Sequence, residues 1–494
     1  MMKRTTQERF AELAELGAIV PVYREIPGDM ETPVSVLSRF SEEPCAVLLE
    51  SVEGGERLGR FSFLGVNPRA IFTIEDGRPY LSAAGEKKEL PFEGENPLTA
   101  LRPIIGADGV AVDPELPPLP GGAIGFLSYE AAGFFEHLPP PKSASGVPEA
   151  VFMLTDEIIA FDNSRHTIKV IVNVRPACYS ALDHAYAEAQ HRIDLIVGKL
   201  RQAAPKRKAA AGRPAPVELK AETAKADFLR MVETAKRHIV EGDIIQVVPS
   251  QAFSAETSIS PFDIYRALRL INPSPYMFYL KCGDEILIGS SPETLVKLEN
   301  GISEIRPIAG TRPRGRDAEQ DRAMERSLLA DEKERAEHLM LVDLGRNDIG
   351  RTAEPGSVEV PDFMRVERYS HVMHLVSRVT GVLRKEFDAF DLAASAFPAG
   401  TLSGAPKIRA MEIIHELEPA PRGVYGGAVG YFSYDGNMDL AITIRTIEMR
   451  GGRVKVQAGA GIVADSVPEM EYRETLNKAR ALFQAVEFAG RGLQ

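Results

Sequence analysis

The chain has 494 residues, 44% of them hydrophobic, so it is long enough to bury a large core in two or three domains. Its 70 acidic and 58 basic side chains give a net charge of −12, which argues against a general nucleic-acid binder. Cys45, Cys178 and Cys282 show none of the paired spacings of zinc sites or redox dithiols.

The N-terminal segment carries charges where a signal peptide needs an apolar stretch. No apolar run approaches the roughly 18 residues of a membrane span. We therefore expect a soluble, cytoplasmic protein.

Two similar blocks mark two halves of the chain. Residues 121–130 read GGAIGFLSYE and residues 426–435 read GGAVGYFSYD, which are identical at six of ten positions. Strand-forming residues after each block predict a hairpin, over 151–174 around Asn163 and Ser164, and downstream around Gly451 and Gly452. The pattern predicts two related halves that both contain sheet.

A segment rich in Ala, Pro and basic residues, 201–219, lacks apolar periodicity and predicts a linker. It would separate an N-terminal domain, residues 1–200, from a second domain, residues 220–494. Apolar spacing predicts a helix ending at Gly242, and Ser260 with Pro261 predicts the start of another. Helices mixed irregularly with antiparallel hairpins indicate the α+β class.

Two carboxylate pairs have the spacing E-x-x-E: Glu334 with Glu337, and Glu471 with Glu474. Residues three apart share a helix face, so each pair would point in one direction, and converging carboxylates would need a cation such as Mg²⁺ between them. The alternative is a solvated helix face, which is the more common meaning of this spacing.

Glycine-rich stretches at 307–315, 397–407 and 457–466 lie near cations that could bind the carboxylates of a small anion: Arg312, Lys407, Arg445 and Lys478. Turns with surface charges are the alternative. His374 lies on an apolar segment, where it is either a core histidine or a group that moves a proton. Dinucleotide and Walker-type phosphate motifs are absent.

Ten ordered blocks between residues 220 and 485 together resemble the chorismate-utilising enzyme family. They are GDIIQVVPSQ, SPET, PIAGTRPRG, AEHLMLVDLGRNDIGR, VMHLVS, PAGTLSGAPK, YGGAVGY, AITIRT, GAGIVADS and ETLNKARAL. The resemblance implies an α+β sandwich of antiparallel sheets and helices, with a smaller related N-terminal domain.

The resemblance also implies roles for individual residues. Glu337 and Glu474 match direct Mg²⁺ ligands, with Glu334 and Glu471 acting nearby through water. Glu293 matches a general acid, His374 a group that assists proton removal, and Thr401 a position packed against the substrate ring. Residues matching the chorismate-binding positions are Gly310, Thr311, Tyr425, Arg445, Gly459, Ala460, Gly461 and Lys478.

Two positions select a reaction within the family. Members that add water to chorismate have a lysine where this chain has Gln246, and many that stop at aminodeoxychorismate have one at Ala309. The absence of both lysines favours the conversion of chorismate and ammonia to anthranilate and pyruvate, for tryptophan biosynthesis. Aminodeoxychorismate synthesis is the alternative, and a non-catalytic ligand-binding regulator of the same fold is a second.

The segments LLES and NPSPYMFYL resemble a feedback site for tryptophan. Its candidates are Ser51, Pro275, Tyr276 and Met277, with Val429 and Tyr431 as further walls. Proline-rich turns are the alternative interpretation. No glutaminase motif surrounds any cysteine, so we expect a separate glutamine amidotransferase subunit and a hetero-oligomer such as a heterotetramer.

Overall fold

The computed structural model describes residues 2–52, 59–106, 109–204, 217, 219–369 and 372–493. Within those ranges, no helix combines the length and the apolar character needed to cross a membrane.

The α-helices are α1 Gln7–Ala14, α2 Pro33–Leu37, α3 Arg102–Gly106, α4 Leu182–Leu200, α5 Lys225–Glu241, α6 Pro261–Ile271, α7 Ala318–Ala330, α8 Glu332–Gly350, α9 Ala389–Ala396, α10 Gly400–Ser403, α11 Lys407–Leu417 and α12 Pro468–Gly490. Short 3₁₀ helices span Pro97–Leu101, Tyr129–Phe134 and Pro176–Cys178.

The strands are β1 Val20–Pro27, β2 Cys45–Glu50, β3 Phe61–Val66, β4 Ala70–Glu75, β5 Arg78–Ala83, β6 Glu86–Glu89, β7 Gly122–Leu127, β8 Ala150–Thr155, β9 Glu157–Asp162, β10 Thr167–Val174, β11 Lys220–Ala221, β12 Gln246–Val247, β13 Ser250–Glu256, β14 Tyr276–Cys282, β15 Glu285–Ser291, β16 Thr294–Glu299, β17 Ile302–Ile305, β18 Ile308–Pro313, β19 Glu359–Arg368, β20 Val372–Val382, β21 Gly404–Ala405, β22 Ala428–Ser433, β23 Met438–Ile442, β24 Thr446–Arg450 and β25 Arg453–Gly459.

Two large sheets contain most of these strands. The first sheet has the order β1-β10-β9-β3-β2-β14-β15-β24-β25-β13-β11. The second has the order β18-β20-β17-β16-β23-β22-β7-β8-β4-β5-β6, with β19 paired to β20. Strands β12 and β21 form a small separate sheet. All strand pairs are antiparallel within these sheets, which confirms the predicted α+β class.

The sheets pack face to face between two layers of helices. Phe63, Phe126 and Tyr431 belong to the buried cluster between the sheets. Helices α1, α4, α6 and α12 bury their apolar faces against the outer side of the first sheet. Helices α8 and α9 do so on the second sheet. The architecture is therefore a four-layer sandwich, because each sheet needs an apolar partner on both faces.

The chain repeats its strand order. Most strands of the first half have a counterpart at the equivalent position of the second half. The corresponding strands are β1 and β13, β2 and β14, β3 and β15, β4 and β16, β5 and β17, β7 and β22, β8 and β23, β9 and β24, and β10 and β25. Strands β2 and β14 lie side by side at the centre of the first sheet, and β7 and β22 at the centre of the second. The two halves predicted from the repeated blocks are therefore present, and both contribute to both sheets.

The repeated blocks pair with each other. Gly125 of β7 lies opposite Gly430 of β22, and these glycines occupy the same position in their blocks. A Cβ atom at Gly125 would come within 1.8 Å of the Val151 carbonyl oxygen, and one at Gly430 within 2.0 Å of the Asp439 carbonyl oxygen. Both positions require glycine because neighbouring backbone occupies the space of a side chain.

The predicted hairpins are partly wrong. Strands β9 and β10 do pair, but β8 belongs to the other sheet because the chain crosses between sheets at Asp156. The downstream segment divides in the same way between β23 and β24. Strands β8 and β9 are both apolar and buried along almost their whole length, so the sequence pattern alone cannot reveal where the chain changes sheet.

The predicted helix ends are confirmed. Helix α5 ends at Gly242, whose φ of 85° is the left-handed conformation of a glycine cap, and α6 begins at Pro261. Most of the predicted linker, residues 205–216 and 218, lies outside the described residues. The domain limits therefore stay a prediction.

Candidate active site

The catalytic candidates cluster in a long insertion. Between β17 and β22 the second half contains β18 to β21 and α7 to α11. In the equivalent interval of the first half, between β5 and β7, the described residues form only β6, one 3₁₀ helix and α3. About half of the predicted site residues lie in this insertion, among them His374 and Thr401. Glu293 lies directly before β16 and Arg445 directly before β24, and the rest lie at the end of β25 or on α12. The described residues of the first half contain no counterpart of this insertion.

Both carboxylate pairs lie in the first two turns of helices, α8 and α12. Burial raises the pKa of Glu337, and the charges of Glu334 and Glu474 raise it further. Burial also raises the pKa of Glu471, with a further contribution from Glu474. Glu337 and Glu474, which belong to different pairs, therefore lie close enough for their charges to repel.

The repulsion is partly relieved by cations of the protein. Lys478 Nζ lies 2.6 Å from Glu474 Oε1, and Arg312 Nη1 lies 3.0 Å from Glu334 Oε1. In the described part of the chain, no three of the paired glutamates have carboxylate oxygens within 4.8 Å of one another. The helix N-terminus also favours an acidic residue in its first turn, so part of this arrangement needs no ligand.

His374 is oriented by the backbone of the PIAGT segment. Its Nδ1 lies 2.9 Å from the Gly310 carbonyl oxygen and 3.1 Å from Thr311 Oγ1. Because a carbonyl oxygen only accepts, Nδ1 donates, and a neutral His374 has its lone pair on Nε2. Burial lowers the pKa of His374, and the charge of Arg445 contributes to this shift. The ring is therefore neutral and able to accept a proton at Nε2 near neutral pH.

Gly310 brings this backbone next to the carboxylates. Its φ of 67° is left-handed, and a Cβ atom there would lie 3.1 Å from Glu334 Oε2. The glycine-rich stretch at 307–315 contains a strand, β18, whose register against β20 shifts between Ala309 and Thr311. The irregular register turns the carbonyl of Gly310 towards His374.

Glu293 lies in a cavity with Thr401. The cavity is lined by Glu293, Thr294, Leu295, Ile305, Pro307, Leu341, Leu344, Gly345, Asp348, Ala396, Ala399, Gly400, Thr401 and Ile442. Burial raises the pKa of Glu293 to about 8, and the nearby Thr401 hydroxyl lowers it slightly. Thr401 Oγ1 is nevertheless buried without a hydrogen bond of normal geometry to the described residues. A carboxyl that keeps its proton at neutral pH can act as a general acid.

Arg445 lies where the chain crosses from the second sheet to the first, with a left-handed φ of 50°. Burial lowers its pKa, while the charges of Tyr425 and Glu474 oppose this shift. It forms no ion pair or side-chain hydrogen bond with the described residues. Thr443 lies two residues before Arg445. Its Oγ1 is buried and likewise has no hydrogen-bond partner among the described residues. These groups are available to an anionic ligand.

The other predicted cations have partners. Lys407 Nζ lies 2.9 Å from both carboxylate oxygens of Asp348, and Arg312 binds Asp331 as well as Glu334. Besides Glu474, Lys478 Nζ donates to the Gly459 carbonyl oxygen at 2.9 Å. Lys407 and Arg312 therefore serve the protein in this structure, and Arg445 is the available cation.

Glycines let side chains approach the QAGAG segment. A Cβ atom at Gly459 would lie 2.7 Å from the Tyr425 hydroxyl, and one at Gly461 would lie 2.7 Å from Gln246 Nε2. Gln246 Oε1 is buried and, within the described residues, has no hydrogen-bond partner. The Ala460 amide donates to the Pro249 carbonyl oxygen at 3.2 Å, so this amide is not free for a ligand.

A second cavity lies between the halves, at the centre of the sheets. It is lined by Leu49, Glu50, Ser51, Arg60, Phe61, Phe63, Pro118, Pro275, Tyr276, Met277, Phe278, Lys297, Val429, Gly430, Tyr431, Asp439 and Ala441. All the residues predicted for the feedback site are among them. The charged walls Lys297 and Asp439 were missed, because nothing in the sequence indicates that β16 and β23 border this cavity.

The family comparison follows this geometry. The chorismate binding enzyme family matches residues 45–484. The chain belongs to this family. Among chorismate binding enzymes, it is 49% identical over 479 residues to anthranilate synthase component 1 from Acetivibrio thermocellus, with 96% of both chains covered. It is 45% identical to anthranilate synthase component 1 from Pseudomonas aeruginosa, over 99% of this chain and 100% of that one.

Solved structures of chorismate binding enzymes confirm the fold. Anthranilate synthase component I from Streptococcus pneumoniae has a TM-score of 0.77 and 41% identity, covering 87% of this chain and 95% of that one. The menaquinone-specific isochorismate synthase from Escherichia coli has a TM-score of 0.71 at 19% identity, over 96% of this chain and 99% of that one, and supports the fold alone.

Proposed function

We propose that this protein is the chorismate-binding subunit of anthranilate synthase and converts chorismate and ammonia to anthranilate and pyruvate. Two opposite features carry the proposal: Arg445 is a buried cation that forms no ion pair with the residues the structure describes, and Glu293 is a buried carboxyl that keeps its proton. The first suits a substrate with carboxylates, and the second suits the departure of a hydroxyl group.

The donor set fits a magnesium ion. Glu337 and Glu474 offer hard oxygen ligands with Glu334 and Glu471 beside them. Burial, with a further contribution from neighbouring carboxylates, raises the pKa values of Glu337 and Glu471, and a bound cation would offset both effects. When bound, Mg²⁺ would supply positive charge that holds a substrate carboxylate and stabilises negative charge developing on the ring.

The chain's own residues supply the proton transfers. Arg445, Tyr425 and Lys478 orient the substrate carboxylates. Glu293 donates its proton to the C4 hydroxyl, which leaves as water while ammonia forms a bond to C2. His374 Nε2 then accepts the C2 proton as the bond between C3 and the ether oxygen breaks, and the ring becomes aromatic. The enolate that departs takes up a proton from water at its methylene carbon and becomes pyruvate.

Ammonia would come from a second protein. Relatives are named component 1, which is consistent with a separate component, and glutamine would require an amidotransferase partner that hydrolyses it. With ammonium salts, the chain alone should be active.

Tryptophan would be the feedback inhibitor in the second cavity. Phe61, Phe63 and Tyr431 offer aromatic walls, while Asp439 and Lys297 offer charges for an ammonium and a carboxylate. The chain contains no tryptophan, so the fluorescence of the added ligand reports binding without interference. A Tyr431→Ala variant should lose this binding, whereas Tyr80→Ala, on an edge hairpin, should keep it.

The deciding experiment incubates the purified chain with chorismate, Mg²⁺ and ammonium, and identifies the product by fluorescence and mass. We expect anthranilate, and its formation should stop when EDTA or tryptophan is added. Aminodeoxychorismate would instead favour the alternative within the family. No turnover, even with glutamine and an amidotransferase, would favour a non-catalytic regulator.

A further inference from the structure

A buried ion pair lies behind the proposed substrate site. The side chains of Arg422 and Glu418 are only 1% and 5% exposed. Arg422 Nη2 lies 2.6 Å from Glu418 Oε1, and its Nε lies 3.0 Å from Glu418 Oε2. Taking two charges out of water is costly, and apolar residues of the same volume often stabilise a fold equally well. The pair therefore calls for an explanation beyond stability.

The Arg422 guanidinium joins two segments that carry site residues. Nη1 donates to the Leu402 carbonyl oxygen at 2.8 Å, next to Thr401. Nη2 donates to the Val248 carbonyl oxygen at 2.6 Å, directly after the strand that contains Gln246. The planar group has five donors in a fixed fork, so it fixes these segments relative to each other.

Glu418 holds a third segment. It accepts hydrogen bonds from Ser250 N at 2.8 Å and from Ser250 Oγ at 2.9 Å. Ser250 lies opposite Gly459 in the pairing of β13 with β25. The Glu418 carboxylate therefore fixes the start of β13, the strand that pairs with the QAGAG segment at the end of β25.

The pair also contacts Tyr425 and the first half of the chain. The guanidinium carbon lies 5.5 Å from the ring centroid of Tyr425 and 4.6 Å from that of Tyr129. The Glu130 carboxylate accepts from Arg422 N at 2.8 Å and from Gly423 N at 3.1 Å. The segment leading to Tyr425 is therefore fixed from both sides.

We propose that Arg422 and Glu418 are positioning residues that set the spacing of Thr401, Tyr425, Gln246 and Gly459 around chorismate. Neither side chain would touch the substrate, and their effect would pass through the backbone they hold. This inference rests on the proposed function. It predicts that loss of the pair weakens chorismate binding more than it weakens the fold.

The test removes both charges at once, so that no buried charge is left alone. In the double variant Glu418→Gln, Arg422→Met, we expect KM for chorismate to rise about tenfold or more with ammonium as the nucleophile, with a smaller change in kcat. The melting temperature should stay within about 4 °C of the parent. Tryptophan binding should not change. Arg422→Lys, which keeps the charge but loses the fork, should raise KM by a smaller factor.

A matched control is the ion pair of Arg192 with Glu157, whose Nε and Oε1 lie 2.7 Å apart on the first half. The double variant Glu157→Gln, Arg192→Met should leave KM unchanged. A KM within about twofold of the parent in both Arg422 variants would overturn the inference. The inference would also be overturned if the Arg422 variants bound chorismate and tryptophan more weakly by similar factors and melted at a clearly lower temperature, because the whole fold would then be affected.

Failure of the proposed function gives a different result. The parent enzyme would then form no anthranilate, whatever the state of Arg422. Calorimetric titration with chorismate alone would still compare the parent with its variants. Weaker chorismate binding in both Arg422 variants would support the positioning role, and unchanged binding would overturn it.

Discussion

Burial of Glu293 in its cavity gives an ordinary carboxyl group the pKa of a general acid. Burial raises its pKa from an ordinary value of 4.5 to about 8, so it keeps its proton at neutral pH. The folded state binds this proton more tightly than the unfolded state does. Ionisation of Glu293 therefore costs the fold stability, progressively from about pH 4.5 upward and fully above about pH 8.

Glu293→Gln should remove activity while raising stability. We expect kcat to fall about 10²- to 10⁴-fold because the general acid is lost. The melting temperature should rise at pH 8 but not at pH 4, where the parent carboxyl is protonated in both states. Glu304→Gln, on β17 beside Arg378, is the control and should keep its activity. A Glu293→Gln enzyme with normal turnover would contradict the role.

The same pKa predicts the pH profile of the parent. At a fixed concentration of free ammonia, kcat/KM for chorismate should fall as the pH rises through about 8, because Glu293 loses its proton. In Glu293→Gln this decline should be absent. A decline that persists in the variant would assign it to another group.

His374→Gln should separate the two steps of the reaction. The first step needs no base at C2, so chorismate should still be consumed slowly, whereas the second step should fail. Mass spectrometry should then detect an aminated intermediate that still contains the enolpyruvyl group. Anthranilate formed at the parent rate would show that His374 is not the base.

At the scale of elements, the first turns of α8 and α12 both contain glutamates, and Glu474 on α12 lies close enough to Glu337 on α8 to raise its pKa, to which burial contributes most. The helix dipole favours such residues in any first turn, so their presence alone does not indicate a metal. What distinguishes the paired glutamates is their mutual repulsion, which contributes to the raised pKa values of Glu337 and Glu471. Glu332 and Glu469 lie in the same first turns and outside the pairs. They are therefore matched controls.

Glu337→Gln and Glu474→Gln should each raise the Mg²⁺ concentration for half-maximal activity by about tenfold or more. Glu332→Gln and Glu469→Gln should change it by less than about twofold, since the dipole interaction does not involve the ion. In the parent, acidic pH should also raise the Mg²⁺ concentration needed for half-maximal activity, because protons compete with the ion for Glu337 and Glu471, whose pKa values burial raises. If all four variants raised the required Mg²⁺ concentration equally, the glutamates would act by stabilising their helices and not by binding the ion.

Helices could be predicted from the sequence, whereas the points at which the chain crosses from one sheet to the other could not. Apolar spacing and a glycine cap predicted α5, and the E-x-x-E spacing correctly placed both carboxylates of each pair on one helix face. The hairpin at 151–174 was misassigned because the strands on both sides of Asp156 are apolar and buried, although they belong to different sheets. Arg445 lies at the equivalent crossing in the second half, so its exposure to a ligand could be found only in three dimensions.

At the scale of the whole molecule, the sequence indicated two halves but not that they share both sheets. Contacts between strands distant in the chain leave no trace in local patterns. Cys45 and Cys282 illustrate this, because they appeared unrelated and yet lie opposite each other on β2 and β14, with sulfur atoms 3.9 Å apart. For the same reason, the sequence did not predict that Lys297 and Asp439 line the second cavity.

Gly125→Ala should destabilise both halves together. The added methyl group would overlap the Val151 carbonyl oxygen, so we expect a loss of about 2 kcal/mol or more. Gly198→Ala, in open space within α4, is the control and should stabilise by about 0.5–1 kcal/mol. Urea unfolding would measure both. A single cooperative transition is expected for Gly125→Ala, and separate loss of one half would contradict the shared sheets.

The pairing of Gly125 with Gly430 has the geometry of a symmetric homodimer contained in one polypeptide. In an isologous interface, residue i of one subunit contacts residue j of the other, and j contacts i in return. The central strands β7 and β22 follow this rule about an approximate two-fold axis, because Ala123 lies opposite Phe432 and Leu127 lies opposite Ala428. Covalent linkage relaxes the demand for identity that symmetry imposes on two separate copies. One copy could therefore gain the long insertion with its catalytic candidates, while the other kept only the frame that completes both sheets.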